Sequence, residues 1–148
     1  MIKNIFLGLM MVLVTLVTSC DSDDDIPVNG STNIQEITNT AQSGNWRISS
    51  FVDSGKDETN NFIGYLFDFA DNNKIIATKG ATVVNGTWSV TKSSSSNDLD
   101  FNISFSSPSD FEDLTEDWEV VSFSNSKIDL IHISGGNGGT DKLIFVKN

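Results

Sequence analysis

Asp98-Leu99-Asp100-Phe101-Asn102-Ile103-Ser104-Phe105 alternates polar and apolar residues without a break. Successive side chains of a β-strand point to opposite faces, so a period of two describes a strand with one face buried and one in water. The same reading extends upstream. Residues 81–91 place Val84, Gly86, Trp88 and Val90 on one face, and residues 74–78 precede them after the turn signal Asp71-Asn72-Asn73. Residues 61–70 set Ile63, Tyr65, Phe67 and Phe69 against Gly64, Leu66 and Asp68, and residues 46–52 form a first strand. Downstream, residues 118–124, 127–133 and 142–146 complete the set, with Asn125-Ser126 as a two-residue turn. Ser109-Asp110-Phe111-Glu112, directly after Pro108, fits a helical capping box and predicts a turn or two of helix between strands.

Eight short strands joined mostly by hairpin-length turns imply an all-β domain, a single eight-stranded antiparallel up-and-down barrel. Closing the sheet removes the unpaired edges that an open one would present. A two-sheet β-sandwich is the alternative arrangement of the same strands. Ahead of them, Ile34, Ile37 and Ala41 recur at helical spacing, and Asn33 with Glu36 can form a capping box. The spacing predicts a short amphipathic helix over residues 33–42, ended by Gly44.

Gly44-Asn45-Trp46, standing after that helix and opening the first strand, resembles the Gly-x-Trp signature of the lipocalins, in which the Trp closes one end of the barrel. Gly86-Thr87-Trp88 repeats the pattern. Residues 33–148 are thus similar to the small lipocalin-like lipoproteins of Bacteroidetes, and the resemblance implies a barrel that binds a small, partly apolar molecule. The chain departs from the lipocalin pattern in lacking a Thr-Asp-Tyr stretch. It also lacks a late Arg to pack over Trp46, and its last strand offers only Lys142 and Lys147.

The first nineteen residues carry Lys3, an apolar run from Ile5 to Val17 and then small polar residues. This is the layout of a secretory signal peptide, and the run is shorter than the roughly 20 residues a membrane-spanning helix needs. Val17-Thr18-Ser19-Cys20 resembles the lipobox of bacterial lipoproteins, which implies diacylglycerol on the Cys20 thiol and cleavage before it. Cys20 is the one cysteine, so an internal disulfide is impossible. Two or three acyl chains, at about 0.8 kcal/mol per buried methylene, suffice for a stable anchor.

Asp21, Ser22, Asp23, Asp24 and Asp25 resemble the acidic export signal that sends Bacteroidetes lipoproteins to the outer face of the outer membrane. An Asp directly after the Cys would instead mean inner-membrane retention in enterobacteria, and the Ser-Asp-Asp-Asp run favours export. Four carboxylates could also bind calcium, but no Gly turn or downstream Glu completes such a loop. Residues 20–32 are expected to be a lipidated, acidic, flexible tether.

Removing the leader takes away Lys3 and no acid, so the formal net charge moves from −11 to −12. Such a chain is not drawn to nucleic acid or anionic lipid. Its aromatic content separates it from disordered acidic sequences.

Tyr65, Phe67, Phe69, Trp88, Phe101, Phe105 and Trp118 are the inward candidates. They form either a packed core or an apolar pocket with Tyr65 as its polar handle, because an eight-stranded interior is just wide enough for side chains or one small ligand. His132, the only histidine, shares the parity of Ile128 and Leu130 and reads as a core or rim residue. The acids Asp110, Glu112, Asp113, Glu116 and Asp117 could supply a glycosidase pair, although acids near a helix start are favoured by its dipole in any case. Gly135 to Asp141 faintly resembles one copy of a calcium-binding nonapeptide and reads as a hairpin loop. No catalytic set, metal site or cofactor is expected. The expected role is a lipid-anchored, outward-facing binding module; the alternative is an interaction domain with a solid core and partner-binding loops.

Overall fold

The computed structural model describes residues 26–27, 34–94, 96, 98–134 and 139–148. The leader, Cys20 and the acidic run Asp21 to Asp25 lie outside the described residues, as do Asn33 of the expected capping box and most of the Gly135 to Asp141 loop. Two residues of the expected tether are described: Ile26–Pro27 form a two-residue strand, β1. Then come helix α1 (Ile34–Gln42) and strands β2 (Asn45–Asp53), β3 (Lys56–Asp57), β4 (Leu66–Phe69), β5 (Lys74–Lys79) and β6 (Thr82–Lys92). β7 (Leu99–Ser104), a short helix α2 (Ser109–Glu112), β8 (Glu116–Phe123), β9 (Lys127–Ile133) and β10 (Thr140–Lys147) complete the chain.

All pairings are antiparallel, and β2, β4, β5, β6, β7, β8, β9 and β10 each lie beside their neighbours in sequence. β10 returns to pair with β2. The ring is therefore a closed eight-stranded up-and-down barrel, with β3 folded onto the end of β2 and β1 beside β8. This is the architecture that the alternation implies.

The inward face is the one the sequence pattern selects. In β7, Leu99, Phe101 and Ile103 are buried while their neighbours are not. In β2, Trp46 and Ile48 are buried, then a bulge opposite Ile144/Phe145 shifts the parity and Phe51 faces inward. One expected strand is much shorter than the pattern suggests. Residues 59–62 form a 3-10 turn and Gly64 takes φ +85°, a left-handed conformation, so regular pairing starts only at Leu66. Ile63, expected on the inward face, is consequently 60% exposed.

Each tryptophan both fills space and serves the main chain. The indole N–H of Trp46 donates to the Ala41 carbonyl of α1 at 2.8 Å, satisfying one of the carbonyls a helix end leaves over. That of Trp88 donates to the Ala70 carbonyl at 3.0 Å, and that of Trp118 to the Leu114 carbonyl at 3.0 Å. Lys147 takes the place of the missing late Arg: its Nζ stands 5.8 Å from the Trp46 ring centre and donates to Ser43 Oγ at 2.9 Å. Gly86 is needed for close approach. An added Cβ would stand 2.5 Å from the Ser104 carbonyl oxygen and 2.6 Å from the Phe105 ring.

Candidate functional site

The seven inward candidates fall into two groups. Phe67, Phe69, Trp88, Phe101, Phe105 and Trp118 are all buried, whereas Tyr65 is half-buried at the rim. The Tyr65 ring meets Phe111 edge to face at 5.1 Å, with Lys79 Nζ 5.3 Å from its centre. The buried rings touch one another in an unbroken series along the barrel. Phe105 meets Phe111 at 5.0 Å, Phe111 meets Phe67 at 6.1 Å, and Phe67 meets Phe145 at 5.4 Å. Phe145 then meets Phe69 at 5.3 Å, and Phe69 meets Trp88 and Phe101 at 5.2 and 5.3 Å. Most of these pairs are edge-to-face, the geometry that ring quadrupoles favour.

Both barrel ends are stoppered. At the end where β2 begins, α1 turns in Ile37 and Ala41, both fully buried. At the opposite end the plug is aromatic. Phe62 of the 3-10 turn and Phe111 of α2 meet at 5.3 Å, and Phe62 also meets Phe51 at 5.6 Å. A threonine hydroxyl ties each plug down. Thr59 Oγ1 accepts from the Phe51 N–H at 2.8 Å, and Thr115 Oγ1 accepts from the Phe105 N–H at 2.9 Å. Neither Phe62 nor Phe111 was among the inward candidates. Phe111 lies in the short helix after Pro108, whose start carries no side-chain cap hydrogen bond, so the expected capping box is not formed. The run of acids around Phe111 draws attention to charge instead.

The acidic cluster read from the sequence does not act as one unit. Asp113 joins Asp53 and Glu58, while Glu116 and Asp117 join His132. Asp113's carboxyl is held above the ordinary carboxylate range by partial desolvation first, then by the charges of Glu58, Asp53, Asp110 and Glu112. The folded state therefore holds that proton more tightly than the unfolded chain does. Its penalty is fully present at neutral pH and is relieved as pH falls through the raised value toward about 4. Asp113→Asn is expected to stabilise the barrel at pH 7 by an amount in the range of exposed charge contacts, about 0.2–1 kcal/mol. The gain should shrink as pH falls through the raised value and be gone at about pH 3, below the unfolded value. Urea midpoints of both chains at the two pH values check this, and an equal difference at both would contradict it.

The second group sits at the same end of the barrel. Glu116 opens β8, His132 lies near the end of β9 and Asp141 near the start of β10; antiparallel order brings these three positions to one rim. Their parity matches that of the inward residues Trp118, Leu130 and Leu143. His132 Nε2 lies 3.6 Å from Glu116 Oε2 and 4.0 Å from Asp117 Oδ1. On its other side, Nδ1 lies 3.7 Å from Asp141 Oδ2. The Ser54 main-chain N–H fixes Asp141 by donating to Oδ1 at 2.7 Å. The sequence shows His132 on the inward parity, but the partners lie 16 and 9 positions away and only the strand register joins them.

The outer wall carries two shallow clefts beside β6 and β7. One cleft of about 260 Å³ is lined by Asn73, Thr87, Trp88, Ser89, Asn102, Ile103 and Ser104. It adjoins a second of about 320 Å³, to which Lys74, Asn85, Gly86 and Ser106 contribute.

No protein-family model matches the sequence, and no curated protein matches it. A solved structure that matches is that of a DUF4847 family protein from Bacteroides vulgatus ATCC 8482. It is 14% identical, with a TM-score of 0.49, and the match covers 78% of this chain and 98% of that one.

Proposed function

We propose that this chain is a lipid-anchored lipoprotein that holds a lipocalin-like barrel at the outer face of the outer membrane as a recognition module without catalytic activity. Recognition takes place on the rim and outer wall, so the barrel serves as a rigid body and not as a carrier. The observation that favours this over an interior ligand site is the unbroken series of ring contacts from Phe105 and Phe111 to Trp88, with Phe62 packed on Phe111 at the plugged end. An interior guest would have to displace rings that already satisfy one another. The hydroxyls and amides of the two outer clefts, with the Lys74 ammonium beside them, offer hydrogen bonds to a partner surface, protein or glycan.

The anchor rests on the Val17-Thr18-Ser19-Cys20 lipobox and the acids that follow it. Cys20→Ser should leave the leader uncleaved and the chain unlabelled by a clickable fatty acid; labelling as strong as that of the wild type would refute the anchor. The solid interior is tested by titrating the full-length chain, in mild detergent, with a fluorescent fatty acid. No saturable one-to-one binding is expected. Saturable binding that Tyr65→Ala or Trp88→Phe abolishes would return the site to the interior.

A further inference from the structure

We propose that Glu116, Asp117 and His132 form a site for one divalent transition-metal ion, zinc by its chemistry, with Asp141 positioning the imidazole from behind. The proposal goes beyond the role assigned above and is independent of whether the barrel interior holds a guest.

Donor type argues first. An imidazole among carboxylates suits zinc, whereas calcium and magnesium take oxygen donors. Distances argue second. Zinc holds nitrogen and oxygen donors at about 2.0–2.2 Å in a tetrahedron, which sets neighbouring donors roughly 3.3–3.6 Å apart. His132 Nε2 stands 3.6 Å from Glu116 Oε2 and 4.0 Å from Asp117 Oδ1. The three donor atoms all lie within 4.8 Å of one another, so closing the site is a movement of the two carboxylates, whose side chains are 41% and 68% exposed. A fourth position is left toward solvent.

The back of the ring supplies an independent observation. Nδ1 of His132 is buried and makes no hydrogen bond among the described residues. A buried ring nitrogen is ordinarily satisfied, and 3.7 Å to Asp141 Oδ2 is too long to satisfy it. Yet Asp141 is 8% exposed and fixed by the Ser54 N–H, a buried carboxylate with one oxygen turned to the imidazole. Shortened to a hydrogen bond, this contact would be the arrangement by which carboxylates orient metal-binding histidines. Metal on Nε2 would hold the proton on Nδ1 and strengthen it as a donor, drawing the ring and Asp141 into a hydrogen bond. The nearby Asp53, Glu58 and Asp113 group has carboxylates alone and carries no such argument.

The single histidine makes the test site-specific. The full-length chain, freed of metal with a chelator and kept in mild detergent, is titrated with zinc ion by calorimetry and by nitrogen-15 NMR of the imidazole. One zinc per chain is expected, with Nε2 moving to a metal-bound shift and Nδ1 remaining protonated. Glu116→Gln and Asp117→Asn, both at exposed rim positions, should each weaken binding at least about 10-fold, and His132→Gln should abolish it. Asp141→Asn should weaken binding about 10–100-fold and disturb the protonated-Nδ1 signature, which a merely structural role would leave unchanged. Absence of saturable binding would overturn the proposal, and so would zinc binding of equal strength in His132→Gln.

Discussion

A Trp46→Ala chain is expected to unfold at a markedly lower denaturant concentration than the wild type, with a loss of about 3–5 kcal/mol. Trp46 is fully buried where β2, β4 and the end of β10 meet under α1. Truncation removes a whole indole, leaves a cavity and strips the Ala41 carbonyl of its 2.8 Å donor. Small domains are stable by only about 5–15 kcal/mol, so this one change removes a large share. Two milder variants separate the contributions. Trp46→Phe keeps much of the ring and loses the indole hydrogen bond, with an expected cost of about 1–2 kcal/mol. Lys147→Met removes the cation over the ring and should cost no more than about 1 kcal/mol. Urea unfolding followed by circular dichroism checks all three. A Trp46→Ala chain within 1 kcal/mol of the wild type, on the scale of a single hydrogen bond, would contradict the account of this end.

The second large effect is expected at the opposite end. Phe111 is 2% exposed and meets Phe62, Tyr65, Phe67 and Phe105. Phe111→Ala should cost about 3–5 kcal/mol and open an apolar hollow directly behind the plug. Dry apolar cavities of this kind take up small apolar guests such as benzene or xenon. The variant should therefore bind benzene where the wild type does not, seen as a benzene-dependent rise in its unfolding midpoint. Equal benzene stabilisation of both chains would mean that the native barrel already holds such a space.

The two ends differ in how much of them could be read from the residues alone. The barrel itself was legible because Leu99, Phe101 and Ile103, or Trp88 and Val90, alternate with polar neighbours, and period two has one geometric meaning. The Gly-x-Trp position was legible too, although the cation over Trp46 proved to be Lys147. The stretch around Ile63 misled because its alternation continues through Gly64, and nothing in the pattern shows that Gly64 takes a positive φ. The aromatic plug was hidden for a related reason. Phe62 and Phe111 sit in short irregular segments, where periodicity carries no information and burial depends on the threonine ties to Phe51 and Phe105. The rim histidine's surroundings were the least legible, since Glu116, His132 and Asp141 meet only through the β8–β9 and β9–β10 registers.

The central claim is that this barrel is solid and meets its partner from outside. Native mass spectrometry of the full-length chain, purified from its own cells in mild detergent and then incubated with their lipid extract, tests it most directly. The expected spectrum shows the chain with its N-terminal lipid and no further organic molecule under any condition. A small molecule retained one to one, and lost on substitution of Tyr65 or Trp88 without unfolding, would contradict the claim and make the barrel a carrier.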